Sequence, residues 1–174
     1  MKANEFLKNH GLRVEDVDSD KVLGFFSSEM KKGLEGKASS LAMIPTYSEA
    51  GHKIPEGESV IVLDAGGTNF RTCLVTFNNG VAEISDFQKV GMPGAKKEVS
   101  KKEFFSILAD NIQRFMGKSK KIGFCFSYAA EITPDHDGIP LMFSKEIKAP
   151  EVIGKHIGKE LLKVLSSRGW DTEG

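Results

Sequence analysis

Residues 60–68 read Val60-Ile61-Val62-Leu63-Asp64-Ala65-Gly66-Gly67-Thr68, an apolar run that ends in a carboxylate and two glycines. The four apolar residues predict a short buried strand, and the glycines predict a tight turn directly after it. A second apolar run over residues 70–77 follows at once, so the two runs predict an antiparallel pair. Asp64 therefore stands at the end of a strand, beside a turn that lacks β-carbons.

The sheet extends outward from this pair. Asn78-Asn79-Gly80 predicts a hairpin, because Asn and Gly accept positive φ at little steric cost. The strand that follows, over about 81–90, is more polar and is expected near an edge of the sheet. A fourth strand is predicted over 121–127, and a short one over 139–143 in the otherwise irregular segment 128–150.

Three segments have apolar residues at helical spacing. The first covers about 22–34 and is ended by glycines. The second covers 104–115 and follows a capping box, in which Ser100 caps the helix and Glu103 reaches back. The third begins near Pro150 and ends at Gly169. A strand–helix–strand connection predicts a parallel pair, so the fold class is α/β, with a mixed sheet flanked by helices.

Composition excludes several functional classes. Lys and Arg number 24, as do Asp and Glu, so the chain lacks the basic excess of a typical nucleic-acid binder. No apolar run is long enough to span a bilayer, and the first residues lack the apolar core of a signal peptide. Cys73 and Cys125 lie in strand-like runs and predict buried free thiols in a reducing compartment. We expect a cytoplasmic protein.

The turn after Asp64 has the chemistry of a phosphate site. Adjacent glycines let backbone N–H groups approach phosphate oxygens, and Thr68 adds a hydroxyl. Asp64 is able to hold Mg²⁺ directly or through water. The same residues also form an ordinary β-hairpin in which the aspartate accepts a turn hydrogen bond, and the motif alone does not decide between the two.

The wider sequence resembles the hexokinase and glucokinase family, in particular the small-domain portion of a bacterial-type hexokinase. Five segments carry the resemblance in the family's order, from about residue 22 to the end. They are Met30-Lys31-Lys32-Gly33-Leu34, Met43-Ile44-Pro45-Thr46-Tyr47, Asp64-Ala65-Gly66-Gly67-Thr68-Asn69-Phe70-Arg71, Ile122-Gly123-Phe124-Cys125-Phe126-Ser127 and Phe143-Ser144-Lys145. The resemblance implies a ribonuclease H-like fold of the actin-like ATPase type.

The resemblance also implies roles for individual residues. Asp64 would be the carboxylate on the Mg²⁺ side, and Arg71 would support the hairpin or the phosphates of ATP. Three side chains, Ser127, Ser144 and Lys145, would bind a hexose, most simply glucose. The ATP phosphates would be held by Gly66, Gly67, Thr68 and Asn69. The implied reaction is phosphorylation of the hexose 6-hydroxyl, the first step of glycolysis.

Departures from the family pattern concern sugar preference and the catalytic base. Tyr128 and Ala129 follow Ser127 where the family commonly has proline, and Phe143 replaces tryptophan. The family's catalytic aspartate follows a strand beyond the last helix, and that strand has no counterpart before Gly174. We therefore expect an N-terminal extension over 1–20, a small domain over 21–174 that stops before its fifth strand, and no large nucleotide-binding domain. The 174 residues alone are expected to be inactive, and the open sheet edge invites self-association.

Other readings remain open. A sugar kinase of the same superfamily, such as a ROK-type kinase, shares the turn but typically carries a cysteine-rich zinc motif, against which two isolated cysteines argue. A non-catalytic sugar- or phosphate-binding module is the alternative from another class. Asp135-His136-Asp137-Gly138 lacks the spacing of a calcium loop and predicts a turn. Residues 91–97 do not match a Walker loop and predict a mobile surface loop.

Overall fold

The computed structural model describes residues 3–45, 56–143 and 147–172. The chain forms two compact units, Met1–Ile44 and Pro45–Gly174. In the described part of the chain, every helix is too short or too polar to pass through a bilayer.

The first unit is helical. Helix α1 covers Ala3–Asn9, a 3-10 turn covers Val14–Asp16, and helix α2 covers Ser19–Leu34. Asp18 caps α2 by accepting a hydrogen bond from the Lys21 amide at 3.0 Å. The expected helix is confirmed, and most of its apolar side chains are at least half exposed: Val22, Leu23, Phe25, Phe26 and Leu34.

Segment 39–41 folds back against the end of α2. The Glu29 carboxylate accepts hydrogen bonds from Lys32 Nζ at 2.7 Å and from the Ser40 amide at 2.8 Å. These contacts lower the pKa of Glu29 to about 2, the lysine contributing most. A β-carbon at Gly33 would lie 2.0 Å from the Leu41 carbonyl oxygen, so only glycine admits this close approach.

A four-stranded mixed sheet forms the second unit. Its strands are β1 (Ser59–Ala65), β2 (Asn69–Asn78), β3 (Val81–Gly91) and β4 (Ile122–Phe126), in the order β3-β2-β1-β4. β1 and β3 pair antiparallel with β2, and β4 pairs parallel with β1. The mixed sheet and the edge position of β3 are as expected. Asn79 and Gly80 adopt φ of 52° and 74°, which completes the predicted hairpin.

Two helices cover one face of this sheet. Helix α3 (Lys101–Ile112) runs into a 3-10 turn (Gln113–Phe115), and helix α4 (Ile157–Ser167) follows later in the chain. Ser100 caps α3 by accepting from the Glu103 amide at 3.2 Å, whereas the Glu103 carboxylate pairs with Lys97 instead of reaching back. The predicted apolar stripe is fully or almost fully buried: Phe104, Phe105, Leu108, Ile112 and Phe115.

The segment between β4 and α4 is more regular than its sequence suggested. Strands β5 (Ala130–Ile132) and β6 (Gly138–Pro140) form a separate antiparallel pair, so the prediction of one strand over 139–143 is wrong in extent and omits β5. Pro150 opens a 3-10 turn, Pro150–Val152, and α4 begins only at Ile157. Gly154 lies between them with φ of 72°, a conformation that an α-helix does not admit.

The expectation of buried cysteines is wrong for Cys125, which is exposed, whereas Cys73 is half-buried; both are free thiols. The reason is the alternation of side chains along a strand. Ile61 and Leu63 of β1 are fully buried beneath the helices. Cys125 pairs in register with Asp64, on the opposite face of the sheet.

Glu160 joins the two helices and predicts a pH dependence of stability. Its carboxylate lies 2.8 Å from Lys101 Nζ and 2.7 Å from Lys163 Nζ, and it is 17% exposed. These partners, Lys101 first, lower the pKa of Glu160 from 4.5 to about 2. A carboxylate whose pKa is lower in the folded state than in the unfolded state stabilises the fold. This contribution is complete above the unfolded pKa and is lost as the pH falls through the folded pKa.

We therefore expect the free energy of unfolding of the wild type to fall more steeply than that of Glu160→Gln as the pH drops from 4.5 to about 2. Urea titrations at several pH values measure this difference. Lys101→Met keeps the Glu160 carboxylate but removes the lysine that lowers its pKa most. The free energy of unfolding of this variant should fall less steeply with pH than that of the wild type and more steeply than that of Glu160→Gln. Parallel curves for the wild type and Glu160→Gln would show that the two lysines do not stabilise the charged carboxylate.

Candidate phosphate and hexose site

The parallel pairing of β1 with β4 brings the candidate residues to one edge of the sheet. Ala65 pairs with Phe126 at the carboxyl ends of the two strands. The Ser127 amide then donates to the Ala65 carbonyl oxygen at 3.1 Å. Asp64, the glycine turn and Ser127 are therefore neighbours, although more than fifty residues separate them in sequence.

The turn between β1 and β2 is narrow. The Gly66 amide donates to the Asn69 carbonyl oxygen at 3.0 Å, and Asn69 Nδ2 donates to Thr68 Oγ1 at 3.1 Å. A β-carbon on Gly66 would lie 3.2 Å from the Asn69 carbonyl oxygen and 3.5 Å from Arg71 Nη1. The first distance is tighter than an ordinary van der Waals contact, so alanine at position 66 would require the Asn69 carbonyl to shift by a few tenths of an ångström.

Asp64 and Arg71 face each other across β1 and β2. They are partners in the strand register, and Arg71 Nη1 lies 2.6 Å from Asp64 Oδ2. The two side chains are 33% and 39% exposed. The arginine therefore holds one carboxylate oxygen in place, and the pair borders the turn on its strand side.

The donor set at this edge suits Mg²⁺ held together with a phosphate substrate. Among the residues that the structure describes, no three His, Cys, Asp or Glu side chains are grouped as a protein-only metal site would require. Mg²⁺ bound with a nucleotide commonly takes one or two carboxylates and completes its shell with water and phosphate oxygens. Asp64, whose Oδ2 is held by Arg71, fits that requirement.

The three hexose candidates differ in what the structure says of them. Ser127 is exposed at the end of β4, and within the described part of the chain its hydroxyl has Cys125 Sγ as a partner, at 3.9 Å. Ser144 and Lys145 lie outside the described residues. Phe143, which precedes them, packs against Phe126 with ring centroids 6.2 Å apart.

Two residues that hold the turn were missed by sequence reasoning. The Tyr128 hydroxyl donates to the Gly66 carbonyl oxygen at 2.7 Å. The Met92 amide donates to the Thr68 carbonyl oxygen at 3.0 Å, and Met92 is only 3% exposed. A tyrosine next to a strand end is a possible signal, because a buried phenol needs a partner. A backbone amide such as that of Met92 leaves no signal in the sequence.

The prediction of a mobile surface loop over 91–97 is wrong for its first half, since residues 92–94 are buried. Gly94 is bonded to Lys148, whose backbone amide donates to the Gly94 carbonyl oxygen at 2.9 Å. Gly94 serves close packing, because it adopts φ of 86° and an added β-carbon would lie 3.1 Å from Ile147 Cγ2.

The acidic segment 135–138 is a turn, as expected, and it caps a helix. Asp137 accepts from the amides of Gly158 at 2.7 Å and Lys159 at 3.1 Å, in the first turn of α4. The Lys159 ammonium and the Thr133 hydroxyl lower the pKa of Asp135, the lysine contributing most. Asp137 thus satisfies amides at the positive end of the helix, and Asp135 forms an ion pair with the Lys159 side chain at 2.8 Å.

Comparison with known proteins gives a consistent result. The hexokinase family model matches residues 2–173. Human Hexokinase-3 is 33% identical over 145 residues, which are 80% of this chain and 16% of that protein. Hexokinase-1 of Schizosaccharomyces pombe is 30% identical over 183 residues, covering 97% of this chain and 38% of that protein.

Solved structures agree. A hexokinase from Schistosoma mansoni, complexed with glucose, superposes with a TM-score of 0.64 at 27% identity, over 84% of this chain and 35% of that one. The chain thus spans well under half the length of these relatives. Because the family model matches almost its whole length, the chain belongs to the hexokinase family.

Proposed function

We propose that this chain supplies the phosphate-binding turn and the hexose-binding segment of an ATP:hexose 6-phosphotransferase, with glucose as the hexose. One observation carries the proposal: the turn at Gly66–Thr68 and the exposed hydroxyl of Ser127 occupy the same sheet edge, joined through the Ala65 carbonyl oxygen. Phosphoryl transfer requires such an arrangement, because its catalysis consists largely of positioning and charge stabilisation.

In this proposal the amides of Gly67 and Thr68 and the Thr68 hydroxyl donate to ATP phosphates. Asp64 holds Mg²⁺, which neutralises phosphate charge when bound, and Arg71 fixes the Asp64 carboxylate at 2.6 Å. Ser127, with Ser144 and Lys145, binds the hexose hydroxyls. Asn69 steadies the turn through its bond to Thr68 Oγ1.

The layout expected from the sequence belongs to the same proposal. Residues 1–20 are an extension and residues 21–174 the small domain, and no residue among them is assigned the role of the base that deprotonates the sugar. We also propose a cytoplasmic setting at the first step of glycolysis, in keeping with two free thiols. The outer edge of β4, which is the last strand in the sheet order, is the surface for self-association.

Isothermal titration of the chain with glucose, fructose and mannose, with and without MgATP, tests the proposal. We expect binding of one hexose and of MgATP, without formation of sugar phosphate. Turnover by the purified chain would show that the base lies within it. A chain that binds hexose but not MgATP would favour the sugar-binding module, and one that binds neither would remove both functions.

A further inference from the structure

The Tyr128 hydroxyl reaches the phosphate turn from outside it. Tyr128 follows β4 and Ser127 in the chain and is only 8% exposed. Its hydroxyl lies 2.7 Å from the Gly66 carbonyl oxygen and 3.3 Å from that of Gly67. Burial raises the pKa of Tyr128 to about 12, so the phenol is protonated and remains a donor at neutral pH.

This bond fixes the orientation of one peptide group. The Gly66 carbonyl and the Gly67 N–H belong to the same planar trans peptide and point in opposite directions. Since Tyr128 holds the carbonyl oxygen on its own side, the Gly67 N–H is directed away from the tyrosine. Neither the Gly67 nor the Thr68 amide donates a hydrogen bond to another residue in the described part of the chain.

Local sequence does not impose this orientation. Two successive glycines leave the peptide between them unusually free to rotate, because no β-carbon restricts the backbone on either side. The next carbonyl, that of Thr68, is held by the Met92 amide at 3.0 Å. The Gly66 and Thr68 carbonyl groups of the turn are therefore both held by residues distant in sequence, and Tyr128 provides the bond that acts on the peptide between the two glycines.

The tyrosine ring is itself held in place. It packs against Phe126 and Phe143 with ring centroids 4.9 and 5.1 Å apart. Phe143 in turn lies 6.0 Å from Phe104, whose side chain is fully buried in α3. A hydroxyl on a ring anchored in this way restrains its acceptor more than a hydroxyl on a free surface side chain.

We propose that Tyr128 is a positioning residue, whose hydroxyl holds the Gly66–Gly67 peptide with its N–H directed outward, ready to bind a phosphate oxygen of the nucleotide. The inference rests on the proposed function of the turn as a phosphate site. Tyr128 acts through the backbone and does not touch the substrate.

Tyr128→Phe tests this inference, because phenylalanine keeps the ring packing and removes only the donor. We expect MgATP to bind five- to tenfold more weakly, with glucose affinity unchanged within twofold. Backbone ¹⁵N relaxation, measured by NMR without ligand, should show larger motions of the Gly67 and Thr68 amides. Ser119→Ala is the matched control, since the Ser119 hydroxyl donates to the Ser59 carbonyl oxygen at 2.6 Å, at the opposite end of β1.

The control separates positioning from general stability. Both variants lose a hydroxyl that donates to a backbone carbonyl, and Ser119→Ala also loses the bond that this hydroxyl accepts from the Lys121 amide at 3.0 Å. Ser119→Ala should therefore lower the melting temperature at least as much as Tyr128→Phe, and only Tyr128→Phe should weaken MgATP binding. Unchanged MgATP affinity together with unchanged backbone relaxation at Gly67 and Thr68 would overturn the inference. If the wild type itself bound no MgATP, the proposed function would fail, while backbone relaxation at Gly67 and Thr68 in Tyr128→Phe would still decide whether Tyr128 holds the turn.

Discussion

Replacing Asp64 with asparagine is expected to remove most of the metal dependence of ATP binding. The wild type should bind ATP at least tenfold more tightly in the presence of Mg²⁺ than in the presence of a chelator that removes it. This ratio corresponds to about 1.4 kcal/mol of binding free energy. Asparagine keeps the shape of the side chain and an oxygen for Arg71, but it loses the charge that holds the cation. In Asp64→Asn, the dissociation constants for ATP with and without Mg²⁺ should therefore be nearly equal.

For ATP without Mg²⁺, Asp64→Asn should have the opposite effect on affinity. Arg71 is paired with Asp64 at 2.6 Å in the wild type, and loss of the carboxylate charge leaves the guanidinium more available to phosphate oxygens. Metal-free ATP should thus bind Asp64→Asn as well as, or better than, the wild type. Asp86→Asn is the matched control, because Asp86 is an ion-paired carboxylate of β3 that contacts Lys118 at 2.5 Å. An Mg²⁺ dependence retained in Asp64→Asn would exclude Asp64 as the metal ligand.

Replacing Gly94 with alanine is expected to destabilise the second unit by about 2–4 kcal/mol. Gly94 adopts φ of 86°, which strains any residue with a β-carbon. An added β-carbon would also lie 3.1 Å from Ile147 Cγ2 and 3.1 Å from the backbone nitrogen and oxygen of Lys148. Backbone atoms cannot move aside as a flexible side chain does, so both effects add.

Gly80→Ala separates these two effects. Gly80 adopts φ of 74°, and a β-carbon there would have no atom within 4 Å. Its substitution should cost only the backbone strain, about 1–2 kcal/mol. Urea unfolding measures the loss of stability in each variant. The difference between the two losses is the cost of the steric clash between a β-carbon at position 94 and residues 147–148. Equal losses of stability in the two variants would mean that this contact is looser than the structure shows.

Much of the fold follows from local sequence patterns. The strands β1 to β4, the hairpin at Asn79-Gly80 and the stripe of α3 were predicted, because each rests on an apolar period or a turn residue. The helix between β3 and β4 predicted a parallel partner for the fourth strand, and the structure shows that this partner is β1. The pair of β5 and β6 was not predicted, because strands of three residues are too short to show an alternation of apolar and polar side chains.

The candidate site was predictable only in part. The glycine turn and Asp64 stand out in sequence, whereas their supports come from distant positions. Tyr128 contacts the turn through a hydroxyl, and a tyrosine after a strand end does not reveal which carbonyl it reaches. Met92 contacts the turn through a backbone amide, which has no sequence pattern. The exposure of Cys125 was missed because strand alternation shows which residues share a face, and only the packing shows which face the helices cover.

The central claim is that the turn binds nucleotide phosphates beside a hexose site at the carboxyl ends of β1 and β4. The most direct measurement is a two-dimensional NMR titration of the labelled chain with MgATP and then with glucose. We expect MgATP to shift the amide signals of residues 66–69, and glucose to shift that of Ser127. Saturating MgATP that leaves residues 66–69 unshifted, or shifts only signals in the first unit, would contradict the account.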